Sequence, residues 1–272
     1  MKLSAARLQF QREVQQPDDQ IDLARAALYL AGEEYPELEP EIYLEALAKM
    51  AAVVGDRLPA ERYPLKVIQT LNQHLYEELD FRGNAQDYYD PRNSFLNQVI
   101  DRRLGIPITL ALVYLEVAKR LDFPMVGIGM PGHFLIRPDF PDAGIYVDTF
   151  NRGEVLFDAD CATLLSEIYQ QPVTLQPQFL VPVTRQQFLT RMLVNLKLIY
   201  INRNDLQRTL AVVERLLILT PDNPLERRDR GLLHSHLNER PQAIADLEAY
   251  LDAYPEARDA AAVRQLLQEL RQ

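Results

Sequence analysis

Two residues in "PGHFLIRPDFPDAGIYVDTF", residues 131–150, have side chains suited to proton transfer. The His133 imidazole is of the side-chain type that can take a proton from a nucleophile, while the Asp148 carboxylate can fix its orientation. Each belongs to a short apolar segment, and a turn-forming stretch from Pro138 to Gly144 joins the two. A hairpin centred between Phe140 and Pro141 sets His133 opposite Asp148 on one face. A slip of one residue would separate them. The pair lacks a nucleophile nearby in sequence.

Three side chains compete for that role. Cys161, the lone cysteine, sits at the start of "DADCATLLSEIYQ", a helix with Asp158 or Asp160 as its cap. A helix N-terminus favours thiolate, and burial as a small hydrophobe is the other common fate of a free cysteine. Thr109 lies at the start of a different helix, where its hydroxyl is suited to bonding a backbone carbonyl. Ser94 or Asn93 can cap the helix that follows "YYDPRN". In that loop Tyr88, Tyr89, Asp90, Arg92 and Asn93 either line a binding cleft or pack among themselves. His74 reads as a solvated or half-buried helix residue. His234 and His236 are two apart on a helix and point to different faces, so they do not chelate together. No Cys/His spacing suits zinc and no Gly-rich loop suits phosphate, so no metal or cofactor is expected.

The elements that must position these residues are mostly helical at first. "PDDQIDLARAALYLAGEEYP", "PEIYLEALAKMAAVVGDRL" and "PLKVIQTLNQHLYEEL" show helical apolar spacing with Asp, Pro and Gly punctuation. "GIPITLALVYLEVAKRLDFP" is apolar nearly all round from Ile108 to Leu121, the pattern of a helix buried on every side. Pro107 suits its first turn, where a missing N–H costs nothing. "MVGIGM", "HFLIRP" and "GIYVDTF" read as strands. "QPVTLQPQFLVPVTR" reads as a link.

The C-terminal region repeats with a period of 34: Asn204 aligns with Asn238, Ala211 with Ala245, Leu217 with Leu251 and Pro221 with Pro255. That period is tetratricopeptide-like. It predicts helices over 186–203 and 205–219, then 225–237 and 241–253, with a capping helix over 256–271. Gly231 and Ala243 occupy the small-residue slots of the second repeat, whereas Lys197 and Thr209 occupy those of the first.

With 272 residues and a formal charge of −10, the chain has room for about two domains and a field that opposes phosphate-backbone binding. Direct nucleic-acid binding is not expected. A single cysteine suits a reducing compartment. No signal-peptide core and no uninterrupted membrane-spanning run is present, so a cytoplasmic protein without membrane contact is expected.

The stretches "GNAQDYYDPRNSFLNQVIDRRLGIPITLALVYLEVAKRL", "GMPGHFLIR" and "YVDTFNRGEVL", followed by the repeats, resemble the bacterial SirB family of transglutaminase-like proteins with tetratricopeptide repeats. Related sequence occurs in a eukaryotic F-box protein. The resemblance implies an α+β fold: a helical N-terminal region (1–80), a transglutaminase-like, papain-like core (81–182) and an all-α repeat unit (183–272). In that wider fold a Cys starts the central helix, with His and Asp on neighbouring strands. Ala111 and Pro124 fit the spacing of that helix, which puts Pro107 in the cysteine position. The resemblance therefore implies a degenerate enzyme that binds a protein or peptide partner, with Tyr88, Tyr89, Asp90, Arg92, Asn93 and Thr109 as binding residues. The alternative is a hydrolase or acyl-transferase in which His133 and Asp148 work with water or Cys161. No motif encodes the partner's identity or the oligomeric state.

Overall fold

The computed structural model describes residues 4–140 and 143–272. Two compact units divide the chain, residues 1–189 and 190–272. The helical region 1–80 and the segment 81–182 thus share one unit.

In the first unit, α1 (Ala5–Val14), α2 (Leu23–Ala31), α3 (Pro40–Gly55) and α4 (Pro64–Asn72) come first. Ser4 and Asp22 cap α1 and α2 by accepting backbone N–H groups, and proline opens α3 and α4. The sequence predicts one continuous helix through residue 79. Instead α4 passes into a π-helical turn, Gln73–Glu78. Such widened turns release backbone groups for other partners. Strand β1 (Arg82–Gly83) pairs in parallel with β2 (Leu104–Gly105), bracketing a loop and α5 (Leu96–Arg102).

Helix α6 (Pro107–Lys119) forms as predicted, with Pro107 at its first position. Every residue from Pro107 to Ala118 is buried. Burying its aliphatic side chains contributes about 1.5–3 kcal/mol each, against the chain entropy that folding removes. Four strands follow: β3 (Met125–Ile128), β4 (Leu135–Pro138), β5 (Tyr146–Asp148) and β6 (Glu154–Leu156), an antiparallel meander in chain order. The β4–β5 register pairs Ile136 with Val147, a partner two residues on from the one that the suggested hairpin centre gives. A shift of two preserves side-chain parity. The predicted centre touches Pro141, which lies outside the described residues. Strand β6 has no counterpart in the sequence reading.

Helix α7 (Asp158–Tyr169) closes this unit. Its cap is neither predicted aspartate. Phe157 is the N-cap residue, and its N–H donates to Asp160 Oδ2 at 2.9 Å. Helix α8 (Arg185–Asn202) contains the boundary between the units. Asp18 accepts the N–H groups of Arg185 and Gln186 at 3.0 and 2.9 Å, capping α8 from far away in sequence.

The second unit continues with α9 (Leu206–Leu219), α10 (Pro224–His236), α11 (Arg240–Ala253) and α12 (Ala260–Leu270). The repeat appears in backbone detail. Asn204 and Asn238 both take left-handed conformations, with φ of 54° and 60°. The N–H groups of Asp205 and Glu239 reach the carbonyls of Tyr200 and His234, both at 2.9 Å. Among the described residues no helix is long and apolar enough to cross a membrane.

At Gly231 helices α10 and α11 pack closely. A Cβ there would stand 2.8 Å from Leu247 Cγ and 3.1 Å from Asp246 Cβ. Gly231→Ala is therefore expected to destabilise the repeats by about 1–3 kcal/mol, despite alanine's better helix propensity. Urea unfolding followed by circular dichroism checks this, and a stabilised variant would refute the close packing.

Candidate functional site

The His–Asp pair forms. His133 Nε2 lies 2.8 Å from Asp148 Oδ2. His133 sits in the turn before β4, not on the strand as the sequence suggests, and Asp148 ends β5. The His133 side chain is 10% exposed and that of Asp148 is 1%.

Asp148 is surrounded by donors. Its Oδ1 accepts the N–H groups of Phe150 and Asn151 at 3.0 and 3.3 Å, and its Oδ2 also accepts Asn151 Nδ2 at 2.8 Å. Burial by itself pushes this carboxyl up. The hydrogen bond and charge of His133, with the bonds from Asn151, outweigh that and hold it below its ordinary range. An ionised carboxylate only accepts, so Nε2 carries the proton in this contact.

The turn after Asp148 is pinned from the π-helical side. Asn72 Nδ2 donates to Gly153 O at 2.6 Å, and Asn72 Oδ1 accepts from Tyr114 OH at 3.1 Å. The Arg152 guanidinium donates to Tyr76 O within the widened turn. Gly153 has φ of +75°, and a Cβ on it would fall 2.3 Å from Asn72 Oδ1. Thr149 Oγ1 donates to Pro107 O at 3.1 Å. That bond sets the end of β5 beside the first residue of α6.

Pro107 thus occupies the start of the central helix, next to the residues that follow Asp148. It is buried and carries no nucleophilic atom. Cys161 does not replace it. The thiol is fully buried among Ile128, Met130, Leu135, Tyr146, Leu156 and Leu165. Burial, with the charges of Asp158, Asp160 and Asp148, pushes its pKa up to about 12. The helix N-terminus is overridden by desolvation and three carboxylates.

The "YYDPRN" loop is knitted to itself. Asp90 accepts the Arg92 N–H at 3.0 Å and pairs with the guanidinium groups of Arg92 and Arg102 at 2.8 and 3.2 Å. Asn93 is fully buried. Its Nδ2 donates to the carbonyls of Asp87 and Tyr88, and its own carbonyl accepts from Thr109 Oγ1 at 2.7 Å. Thr109 Oγ1 also accepts the Ile106 N–H at 3.1 Å. Asp90, Asn93 and Thr109 therefore join the loop to the start of α6. Neither Asn93 nor Ser94 caps α5. Phe95 is the N-cap residue there, and Ser94 Oγ has no hydrogen-bond partner among the described residues.

Phe150 connects the loop to the pair. Its ring lies 6.0 Å from Tyr88 and 6.4 Å from the His133 imidazole, edge to face, and Tyr88 lies 5.3 Å from Tyr89. Continuing the β4–β5 register places 150 opposite 133. The sequence reading missed Phe150, Asn151, Asn72, Tyr76 and Arg152. The turn signal "NRG" before "EVL" marks the β5–β6 turn, but nothing local marks Asn72 or Tyr76.

The other histidines lie apart from this pair. His74 is buried against Glu78, with Nδ1 2.8 Å from Oε2. His234 Nδ1 lies 2.6 Å from Glu239 Oε2. His236 Nδ1 lies 2.8 Å from Leu232 O, so the two neighbouring histidines face different partners. Among the described residues no group of three His, Cys, Asp or Glu side chains is arranged to hold a metal.

A family model described as "Transglutaminase-like superfamily" matches residues 41–194, more than half the chain. The protein belongs to the transglutaminase-like superfamily. A tetratricopeptide-repeat model matches residues 196–268. The chain is 36% identical to a UPF0162 protein of Xylella fastidiosa over 93% of its own length and 91% of the relative's. It is 29% identical to a UPF0162 protein of Vibrio cholerae over 87% and 88%. F-box only protein 21 of Mus musculus is 30% identical over 57% of this chain and 29% of its own. No solved structure gives a significant match. Within this transglutaminase-like unit, the His–Asp pair and the buried helix are built, and the helix starts with proline.

Two outcomes follow from this geometry. Asp148 has a folded pKa below its unfolded value. Its stabilisation is present above the ordinary aspartate range, near about 3.9, and is lost as pH falls through the folded value. Asp148→Asn should lower stability at neutral pH and flatten the acid limb of a stability–pH curve measured by denaturant titration; an unchanged limb would remove Asp148 from the account. Native protein should resist thiol labelling at pH 7–8 and react once unfolded. Rapid native labelling would contradict the burial of Cys161.

Proposed function

We propose that this chain is a non-catalytic, cytoplasmic interaction protein of the SirB type, built on a degenerate transglutaminase-like unit. The observation that carries the reading is Pro107 at the start of α6 beside an intact His133–Asp148 pair, with Cys161 buried and protonated. Nucleophilic acyl transfer needs an attacking atom within reach of the base, and proline supplies none. In this reading the surface at His133, with Tyr88, Tyr89 and Arg92, receives a protein or peptide. The repeats supply a second surface, a groove of about 290 Å³ lined in part by Tyr200, Ile201, Leu232, Leu233, Lys197 and Asp229. The charge of −10 supports a protein over a nucleic-acid partner.

A second reading keeps one observation in its favour. A histidine held by a buried carboxylate can act as base on water, giving a hydrolase of amide or peptide bonds. The test is a panel of amide and peptide substrates with wild type, His133→Ala and Cys161→Ser. The interaction reading expects no His133-dependent turnover. It also expects a photoreactive group placed at Tyr89 to crosslink a partner more than one placed at exposed Leu8. Turnover lost in His133→Ala but kept in Cys161→Ser would overturn it in favour of water activation.

A further inference from the structure

His133 lies in a turn, and turns run over protein surfaces, yet its side chain is only 10% exposed. Two apolar groups pack at this turn. A Cβ on Gly132, the preceding residue, would meet Ile168 Cγ2 at 2.6 Å. The Phe150 ring lies 6.4 Å from the imidazole, edge to face. Of the two, Phe150 is the one whose own chain segment is tied to the His–Asp pair. Its N–H donates to Asp148 Oδ1 at 3.0 Å. Thr149 before it donates to Pro107 O at 3.1 Å, and Gly153 after it accepts from Asn72 Nδ2 at 2.6 Å.

The ring is seated as well as tethered. Gly83 of β1 lies against it: a Cβ there would fall 2.5 Å from both Cδ2 and Cε2 of Phe150 and 2.8 Å from Cγ. Gly83 does not take the left-handed backbone that calls for glycine by itself, so the ring is what explains its missing side chain. Tyr88 bounds the ring on the loop side at 6.0 Å. Phe150 is thus half-buried among Gly83, Tyr88 and His133, beside the first residue of α6. Swinging it out would return its apolar surface to water and leave Gly83 bare, so the closed arrangement is the resting one.

We propose that Phe150 is a built-in cover on the His–Asp pair, an autoinhibitory contact in which the ring occupies the approach to His133. A general base must come within about 2.6–3.2 Å of the group whose proton it takes. Asp148 holds Nε2, so a proton can be taken only at Nδ1, and the ring keeps water and a peptide carbonyl from that atom. This goes beyond the reading drawn from Pro107. The proline removes the attacking atom; the phenyl ring removes the approach to the base.

The experiment is modification of the full chain with diethyl pyrocarbonate at neutral pH, the rate at each histidine being read by mass spectrometry of its peptide. The reagent acylates the unprotonated imidazole nitrogen, so at His133 it must reach Nδ1. His236 is the internal reference, because it is exposed and its Nδ1 bonds Leu232 O, which leaves Nε2 to react. His74, buried against Glu78, reports unfolding. Wild-type His133 is expected to react at least about tenfold more slowly than His236, the protection of a closed native contact. Phe150→Ala should raise the His133 rate about 5–10-fold, and Phe150→Leu, which keeps part of the bulk, should raise it less, with His74 unchanged in both. Equal wild-type rates at His133 and His236 overturn the proposal. So does a His133 rate that stays low in both variants, which would assign its burial to the Gly132 turn and Ile168. Rates at His133 and His74 that rise together in both variants also overturn it, because Phe150 would then support the fold and not cover the pair. None of these outcomes reads turnover, so the non-catalytic reading, which rests on Pro107, stands or falls separately by the substrate panel.

Discussion

A helix that is apolar nearly all round is not stable at a water interface, and α6, whose one buried carboxylate, Glu116, is paired with Arg120, is such a helix. Its burial dictates the rest of the first unit. The N-terminal helices, α5 and the meander are what cover it. Because it is buried from its first residue, its N-terminus must also be satisfied by protein. Proline at the first position removes one donor that would otherwise need a partner. Thr109 ties the Ile106 N–H and the Asn93 carbonyl, and Thr149 reaches back to the Pro107 carbonyl. These contacts bring the end of β5 and the "YYDPRN" loop to one place, the start of α6.

The same place holds the His–Asp pair, and its electrostatics are settled locally. A carboxylate nearly sealed from water is costly unless its lone pairs are filled. Asp148 fills them with His133, the Asn151 amide and two backbone N–H groups. Cys161 lies in the opposite regime. It meets the desolvation of the core without a cation to offset it, so it behaves as a small hydrophobe. Two ionisable groups in one unit thus shift in opposite senses for stated reasons. Donors surround one; apolar side chains and carboxylates surround the other.

Periodic features were the most legible in the sequence. The all-round apolar helix, the proline at its start and the 34-residue repeat correspond to α6, Pro107 and the matched left-handed turns at Asn204 and Asn238. Each is written in residues close together in the chain. The hairpin register was two residues off, and the fourth strand was missed, because β4–β5 pairing depends on turn geometry that composition does not specify. The π-helical turn was invisible because its apolar spacing is still helical. Its consequence lies 76 and 81 residues away, where Arg152 meets Tyr76 and Gly153 meets Asn72. Phe150 was missed for another reason: an aromatic next to a polar turn carries no signal until the fold sets it between Tyr88 and His133.

The costs of losing parts of this site are unequal, and that inequality bears on what the site is for. A nucleophile at the start of α6 is exchanged for proline without leaving any partner unsatisfied, since proline suits the first helical turn by itself. Removing Asp148 is different. It would orphan the Nε2–H of His133, the Asn151 amide and two backbone N–H groups in a nearly dry environment, each at a cost of about 1–3 kcal/mol where no water replaces it. The β5–β6 turn, held on its other side by Asn72 and Arg152, would lose its inner support at the same time. A His–Asp pair can therefore persist on structural grounds when the reaction it would serve has no attacking atom. Its presence alone is weak support for catalysis, and it stiffens the surface in which His133 is fixed between Phe150 and the Gly132 turn.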